Sequence, residues 1–274
     1  MFKTEYEAKL GKFILEQGIV VKYEHIDELN KEQFALARNS GFGASDSAKL
    51  LCVSPFGDRM DLIREKAAET INEEISKKAS VRKGSDVEHI ILEKGEKLIS
   101  DVLYMDEQIK VHIHKPYNMY GLRNSPLNIN YDGVLFIDDE VNTVAEAKLV
   151  TKYGKKYYDF NKAMLRTVDG ETDLSYIFEI EKPTFPAINE VNLLDICTKL
   201  ADYYGIPVYY YTQVQQQLMS MKKDFGYLVV QDDDNWETYV FKIYKNESLI
   251  ELLKQKSIPA WAMVEAMRAN ANRK

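Results

Sequence analysis

Cysteine is nearly absent from this sequence: 274 residues hold two, Cys52 and Cys197, far apart and both in apolar surroundings. That excludes a disulfide framework and a cysteine-rich zinc or iron–sulfur site, and it suits the reducing cytosol. Long apolar runs are missing too. No stretch approaches the roughly 18 consecutive apolar residues of a membrane helix, and Met1-Phe2-Lys3-Thr4-Glu5 is too polar to begin a signal peptide. No membrane partner is expected. Repeats and low-complexity segments are lacking. So is a basic surplus: 36 Lys and Arg face 43 Asp and Glu, for a net charge of −7. Proteins that bind nucleic acid over a broad surface usually carry the opposite excess. Contact with nucleic acid would have to come from a local groove.

What the chain does have is material for a core. Hydrophobic residues make up 45%, enough for one large domain over 1–274. Periodicity predicts helices over 2–17, 27–37, 57–78, 81–99, 191–203, 208–219 and 247–270, the last interrupted at Pro259. Strands are expected over 104–113, 131–138, 144–150, 174–180, 225–231 and 236–244, with irregular chain over 117–128. Helices and strands together place the chain in the α/β (α+β) class, with a helical part over 1–100, a sheet core over 101–245 and a C-terminal helix over 246–274.

The stretch from Tyr131 to Val150 carries the most chemistry. It reads as two strands joined by the acidic turn Asp138-Asp139-Glu140-Val141-Asn142. Side chains alternate along a strand, so Glu146 and Lys148 share a face. Asp132 joins them if the loop holds an odd number of residues, because a one-residue slip flips the face. Two acids and a lysine on a half-buried sheet are costly unless something satisfies them. A metal ion with an activated water would do so.

Further candidates lie on either side. Arg38-Asn39-Ser40-Gly41-Phe42-Gly43-Ala44-Ser45 is a glycine-rich turn leading into a helix, with Ser45 at the N-cap position. Such a turn offers N–H groups and a positive dipole end to phosphate, and Arg38 adds a bidentate donor. An ordinary capped helix with a surface arginine fits the same residues. Glu88 lies one helical turn from Gly84 on a face continued by Ile91 and Leu92. Its carboxylate needs a partner there, either a metal or a basic group. His112 and His114 share a strand face, but no third ligand is near, and half-exposed strand histidines are the simpler reading. Lys152, Lys155, Lys156, Lys162 and Arg166 alternate with Tyr153, Tyr157, Tyr158 and Phe160. That run can neutralise phosphates and stack on bases, or it is the exposed face of an amphipathic helix. On the helix over 208–219, Tyr210, Gln213, Val214, Gln217 and Leu218 share a face whose amides can orient water, phosphate or an acid.

Taken in order, Arg38-x-x-Gly41-Phe42-Gly43-Ala44-Ser45-Asp46, Gly84-x-x-x-Glu88, Asp132-Gly133, Glu146-x-Lys148 and Tyr210-x-x-Gln213-x-Gln215 resemble the motifs of the YqaJ-type viral recombinase family. That family includes phage lambda exonuclease and belongs to the PD-(D/E)XK nuclease superfamily. The resemblance covers residues 34–232 and implies a central mixed β-sheet flanked by helices, a PD-(D/E)XK, restriction-endonuclease-like core with the catalytic residues on the sheet. It implies that Asp132 and Glu146 bind metal together with the Ala147 carbonyl oxygen, and that Glu88 completes the site from a helix. Lys148 would orient or help deprotonate the attacking water. Gln213 would hold the site or the scissile strand. Arg38 and Ser45, with the Gly43–Ser45 backbone, would hold phosphate, a terminal 5′-phosphate being one candidate. The sequence departs from the pattern twice: Tyr131 stands where a proline is usual, and residues 165–200 lengthen the interval from Glu146 to Gln213.

Phosphodiester hydrolysis needs a nucleophilic water, charge neutralisation on the phosphoryl oxygens and help for the leaving group. Mg²⁺, or Mn²⁺ in its place, takes a few carboxylates plus waters and substrate oxygens, and one or two ions can serve. The expected activity is a metal-dependent exonuclease working on double-stranded DNA ends from the 5′ side, in phage-type recombination. The setting would be the cytoplasm of a bacterial or phage-infected cell. By analogy alone, a single-strand-annealing recombinase is the expected partner and a ring-shaped homo-oligomer a compatible state. Two other readings stay open: a structure- or sequence-specific endonuclease of the same superfamily, and a catalytically silent DNA-binding scaffold.

Overall fold

The computed structural model describes residues 5–69, 79–104, 109–271 and 273. In chain order its helices are α1 (Glu5–Glu16), α2 (Lys31–Asn39), α3 (Ser47–Leu50), α4 (Arg59–Ala67), α5 (Ala79–Leu103), α6 (Leu193–Tyr204), α7 (Val208–Leu218) and α8 (Glu247–Ala271). Its strands are β1 (Ile19–Tyr23), β2 (Val111–His114), β3 (Met119–Leu122), β4 (Asn128–Ile129), β5 (Gly133–Ile137), β6 (Glu140–Val150), β7 (Leu165–Val168), β8 (Glu171–Thr172), β9 (Phe225–Asp232) and β10 (Thr238–Tyr244).

A mixed seven-stranded sheet runs β2-β5-β6-β9-β10-β7-β8. Neighbours are antiparallel except β6 and β9, which are parallel. A parallel pair needs a long crossover, and the chain between the two strands supplies it, with α6 and α7 on the way. Alternation along the central strands feeds two cores. Ala145, Ala147, Tyr227 and Val229 pack with Ile91, Leu92 and Ile99 of α5. Val144, Val150, Leu228 and Val230 pack with Val214 and Leu218 of α7. Helices on both faces are why the middle of β6 is buried on each side. This is the expected mixed sheet flanked by helices.

The β5–β6 hairpin meets its parity requirement in an unexpected place. Its turn is only Asp138 and Asp139, with φ of 50° and 64°, the left-handed pair that a two-residue hairpin turn favours. An even loop alone would turn Asp132 to the wrong face. Ile137 faces Glu140 and Phe136 faces Val141, but Leu135 faces Thr143. Asn142 is therefore a β-bulge, and it supplies the odd residue. Beyond it Gly133 faces Ala145, which brings Asp132 alongside Glu146. Gly133 itself has no room for a side chain: a Cβ would lie 2.6 Å from Ile113 and 3.2 Å from the Ala145 carbonyl.

Several expected elements differ. The charged helix over 57–78 is α4, and residues 70–78 lie outside the described residues. Of the strand over 104–113, β2 holds the last three residues and runs on to His114, while residues 105–108 lie outside the described residues. The supposedly irregular chain over 117–128 holds β3 and the start of β4. With β1, they form a separate antiparallel sheet whose strands are too short to show periodicity. No strand forms over 174–180, where Leu174 and Ile177 stay 57% and 47% exposed. The pairing falls earlier, at β7 and β8, around Asp169 and Gly170, both with positive φ. The basic run is two short 3₁₀ turns, Lys155–Tyr157 and Phe160–Lys162, not an amphipathic helix. Pro259 does not interrupt α8; Leu249 and Leu253 on one side and Ala260 and Val264 on the other are buried in the same core, which holds the helix together across the missing N–H.

Candidate active site

Glu146 sits on β6 with 1% exposure. Its Oε1 accepts hydrogen bonds from Lys148 Nζ and Gln213 Nε2, and its Oε2 from Gln217 Nε2 at 2.5 Å. Asp132 stands just before β5. Its Oδ2 accepts from the Ala147 N–H at 3.1 Å and from Lys148 Nζ at 3.2 Å. The same ammonium donates to the Ala147 carbonyl at 2.9 Å and lies 5.5 Å from the centre of the Tyr210 ring. Lys148 thus gathers one oxygen from each carboxylate and one from the backbone. Burial pushes the Glu146 carboxyl up to about 8, the Asp132 charge pushes the same way, and Lys148 pulls it back. Burial alone would lower the Lys148 pKa, but Asp132 and Glu146 outweigh it and raise it. The lysine is therefore an ammonium at neutral pH.

The three oxygens around that ammonium are hard donors of the kind Mg²⁺ and Mn²⁺ take. A cation already stands among them, so the residues present fit a divalent ion. Glu88 does not join the group. It faces the neighbouring cleft, and its Oε1 accepts from Lys115 Nζ at 2.7 Å. Burial raises its carboxyl, and the Asp132 charge raises it further, so the two acids sense each other across the gap beside β6. Among the described residues no three His, Cys, Asp or Glu side chains converge on one point. Glu88, expected to complete the site from its helix, is paired with Lys115 instead.

A cleft of about 180 Å³ opens from this centre toward the glycine turn, lined by Arg38, Gly43, Ser45 and Lys66 as well as Asp132, Glu146, Lys148 and Gln213. The turn is fixed by backbone bonds: Phe42 N donates to Pro126 O at 2.7 Å, and Phe42 O accepts from Asn128 N at 2.8 Å and Gln216 Nε2 at 2.9 Å. Gly41 is needed here, since a Cβ would fall 2.2 Å from the Pro126 carbonyl. Ser45 is not the cap. Gly43 precedes the 3₁₀ turn Ala44–Asp46, and its N–H donates to Asp46 Oδ2 at 2.9 Å. A carboxylate thus occupies the donor expected to meet phosphate. Lys66 neutralises it, with Nζ 2.8 Å from Asp46 Oδ2 and 2.9 Å from the Arg38 carbonyl. Arg38 and Ser45 are exposed at the cleft.

The basic run divides. Lys152 and Lys156 are exposed, each over its neighbouring tyrosine ring. Lys155 is committed elsewhere, 2.5 Å from the buried Asp232 carboxylate and 3.5 Å from Asp234. The two histidines hold structure: His112 pairs with Glu96, and the buried His114 with Glu7 at 2.8 Å. Sequence reasoning missed Lys66, which was read as part of a solvated helix. It also missed the part of Gln217, although Gln217 lies one turn from Gln213 on the face already noted. Tyr131, in the usual proline position, is buried and bonds Ser220, whose hydroxyl reaches the Gln217 carbonyl at 2.7 Å.

Among solved structures, the chain is similar to the alkaline exonuclease LHK-Exo from Laribacter hongkongensis. Identity is 14% and the TM-score 0.51, over 89% of this chain and 97% of that one. LHK-Exo in complex with dAMP gives the same identity and coverage with a TM-score of 0.50. At that identity the likeness is one of fold. No curated protein matches the chain. Residues 33–224 match the YqaJ-like viral recombinase domain. A match that begins in α2, ends just before β9 and contains every motif residue from Arg38 to Gln213 covers well over half of the sequence, and the chain belongs to the family of YqaJ-like viral recombinase domains.

Proposed function

We propose that this protein is a nuclease that hydrolyses phosphodiester bonds at the ends of double-stranded DNA, from the 5′ side, with Mg²⁺ or Mn²⁺. The observation that carries the reading is the cation seat formed by Asp132, Glu146 and the Ala147 carbonyl around the Lys148 ammonium. Those three groups would hold the ion, with Glu88 available from the neighbouring cleft. When bound, the ion supplies charge neutralisation and an acidified water. Lys148, kept charged by the two acids, donates a hydrogen bond that orients the attacking water and does not take its proton. Gln213 and Gln217 fix the two oxygens of Glu146. Arg38 and Ser45, backed by Lys66, hold phosphate at the far end of the cleft, and Lys152 and Lys156 neutralise backbone charge outside it.

LHK-Exo is named as an alkaline exonuclease and was captured with a nucleotide, which supports DNA as the substrate here. A cytoplasmic setting, a single-strand-annealing partner and a ring-shaped oligomer belong to the same proposal through the family. Among the described residues no helix is long and apolar enough to cross a membrane. The test is digestion of linear and covalently closed duplexes of one sequence with Mg²⁺. The exonuclease reading predicts loss of the linear form with intact circles. Cut circles would move the assignment to an endonuclease, and two intact substrates to a scaffold.

A further inference from the structure

A second cleft, of about 600 Å³, lies on the other side of Lys148 and shares that residue with the first. Its chemistry is different. Four rings border it: Phe56, Tyr158, Tyr209 and Tyr210. Phe56, in the loop between α3 and α4, is 69% exposed and meets Tyr209 edge-on at 5.2 Å, while Tyr209 meets Tyr210 at 4.5 Å. A single exposed ring is ordinary on a protein surface. A row of rings leading from solvent to a charged centre is a surface on which flat molecules stack.

Size separates the two clefts. Small-molecule sites occupy roughly 300–1,000 Å³. The first cleft falls below that range and is lined by Arg38, Lys66 and the acids, so it suits phosphate and ion. The second falls within it, and among the described residues lining it Lys148 is the one cation and Glu88 the one acid, along a floor where the backbone from Ala147 to Thr151 runs. The exposed Lys152 and Lys156 follow closely in the chain on Thr151 and Gly154, which line it. Aromatic faces inside and lysines outside are the arrangement by which proteins hold single-stranded nucleic acid without reading its sequence.

We infer that the second cleft is a nucleobase-stacking subsite. It holds the nucleotide immediately 3′ of the scissile phosphate, with Phe56 and Tyr209 as the stacking platform. The strand then runs from the phosphate end of the first cleft, past Lys148, into the aromatic cleft. This rests on the nuclease reading above for the direction of the strand. What it adds is a pair of stacking rings, Phe56 and Tyr209, on the side of the strand that becomes the new end.

The test uses a duplex with a 5′-phosphate and a fluorophore at its far end, carrying an intact or an abasic nucleotide second from the 5′ end. Affinity is measured with Ca²⁺ in place of Mg²⁺, and cleavage separately with Mg²⁺. Loss of the base should weaken wild-type binding by roughly 5- to 100-fold, the range of base–aromatic stacking. In Phe56→Ala and Tyr209→Ala the same loss should shrink to under about 2-fold, and Phe56→Tyr should restore it. A wild type indifferent to the missing base, or variants that lose as much as the wild type, would overturn the subsite. A duplex that binds with this pattern but is never cut would overturn the nuclease reading and leave the subsite standing. No binding at all would sink both.

Discussion

Lys148 lies 3.2 Å from Asp132 Oδ2, and the same ammonium reaches Glu146 and the Ala147 carbonyl. A lysine and a divalent ion therefore compete for the same oxygens. Removing the lysine should strengthen ion binding in the absence of DNA, while cleavage is lost. Two unit charges about 4 Å apart interact by several kcal/mol at an intermediate dielectric. Allowing for solvent at this cleft, Lys148→Ala should bind Mn²⁺ about tenfold or more tightly by calorimetry. Unchanged or weaker binding would mean that the ion sits elsewhere.

The raised Glu146 carboxyl gives a pH dependence with a definite sign. Unfolded, the group ionises in the ordinary carboxylate range; folded and metal-free, it ionises near about 8. Between those values the native chain holds the extra proton, so stability falls as pH rises and levels off above the folded value. Lys148 stays charged throughout and adds no slope there. Ion binding needs the carboxylate, so it should release a proton below about 8 and none well above it. Calorimetric titrations in two buffers of different ionisation enthalpy measure that proton directly. Equal heats in both buffers at neutral pH would contradict the shift.

Asn142 is the extra residue of the bulge, so deleting it joins Val141 to Thr143 and keeps the pairing on either side: Phe136 with Val141, Leu135 with Thr143 and Gly133 with Ala145. Asp132 then stays beside Glu146. Circular dichroism should stay close to wild type, and nuclease activity and Mn²⁺ binding should both be kept. Loss of both in a folded variant would show that the bulge does more than supply one residue.

Replacing Lys66 by methionine strands the Asp46 carboxylate, which the lysine meets at 2.8 Å with 7% side-chain exposure of its own. Breaking such a pair by removing one partner costs about 3 kcal/mol. The thermal midpoint should drop, and Lys66→Met, Asp46→Asn together should recover most of the loss. A double variant no better than the single one would argue against the pair.

The grouping of Asp132, Glu146 and Lys148 was legible in the sequence because strand alternation is a local rule, and Glu146-x-Lys148 obeys it. The amide face of α7 was legible for the same reason, at helical period. The mixed sheet came with the family resemblance, since the hairpin pattern says nothing of the parallel pairing of β6 with β9. What stayed hidden depends on partners far apart in the chain. Lys66 looks like one charge among many on α4 until Asp46 and the Arg38 carbonyl close on it. Lys155 looks free until Asp232 of β9 arrives, and Glu88 open until Lys115 takes it. The Asn142 bulge left no mark of its own: the parity it provides was anticipated, but was assigned to the turn. β1, β3 and β4 are stabilised by one another and by the turn at Phe42, so none carries a period long enough to read.

The most direct test of the account is single-turnover digestion of a linear duplex in Mg²⁺ by wild type, Asp132→Asn, Glu146→Gln and Lys148→Ala, each checked for an intact fold. The account predicts rapid loss of the duplex with wild type, a fall of at least about 100-fold in every variant, and no digestion by any of them in a metal chelator. Digestion by Glu146→Gln and Lys148→Ala at the wild-type rate would contradict it.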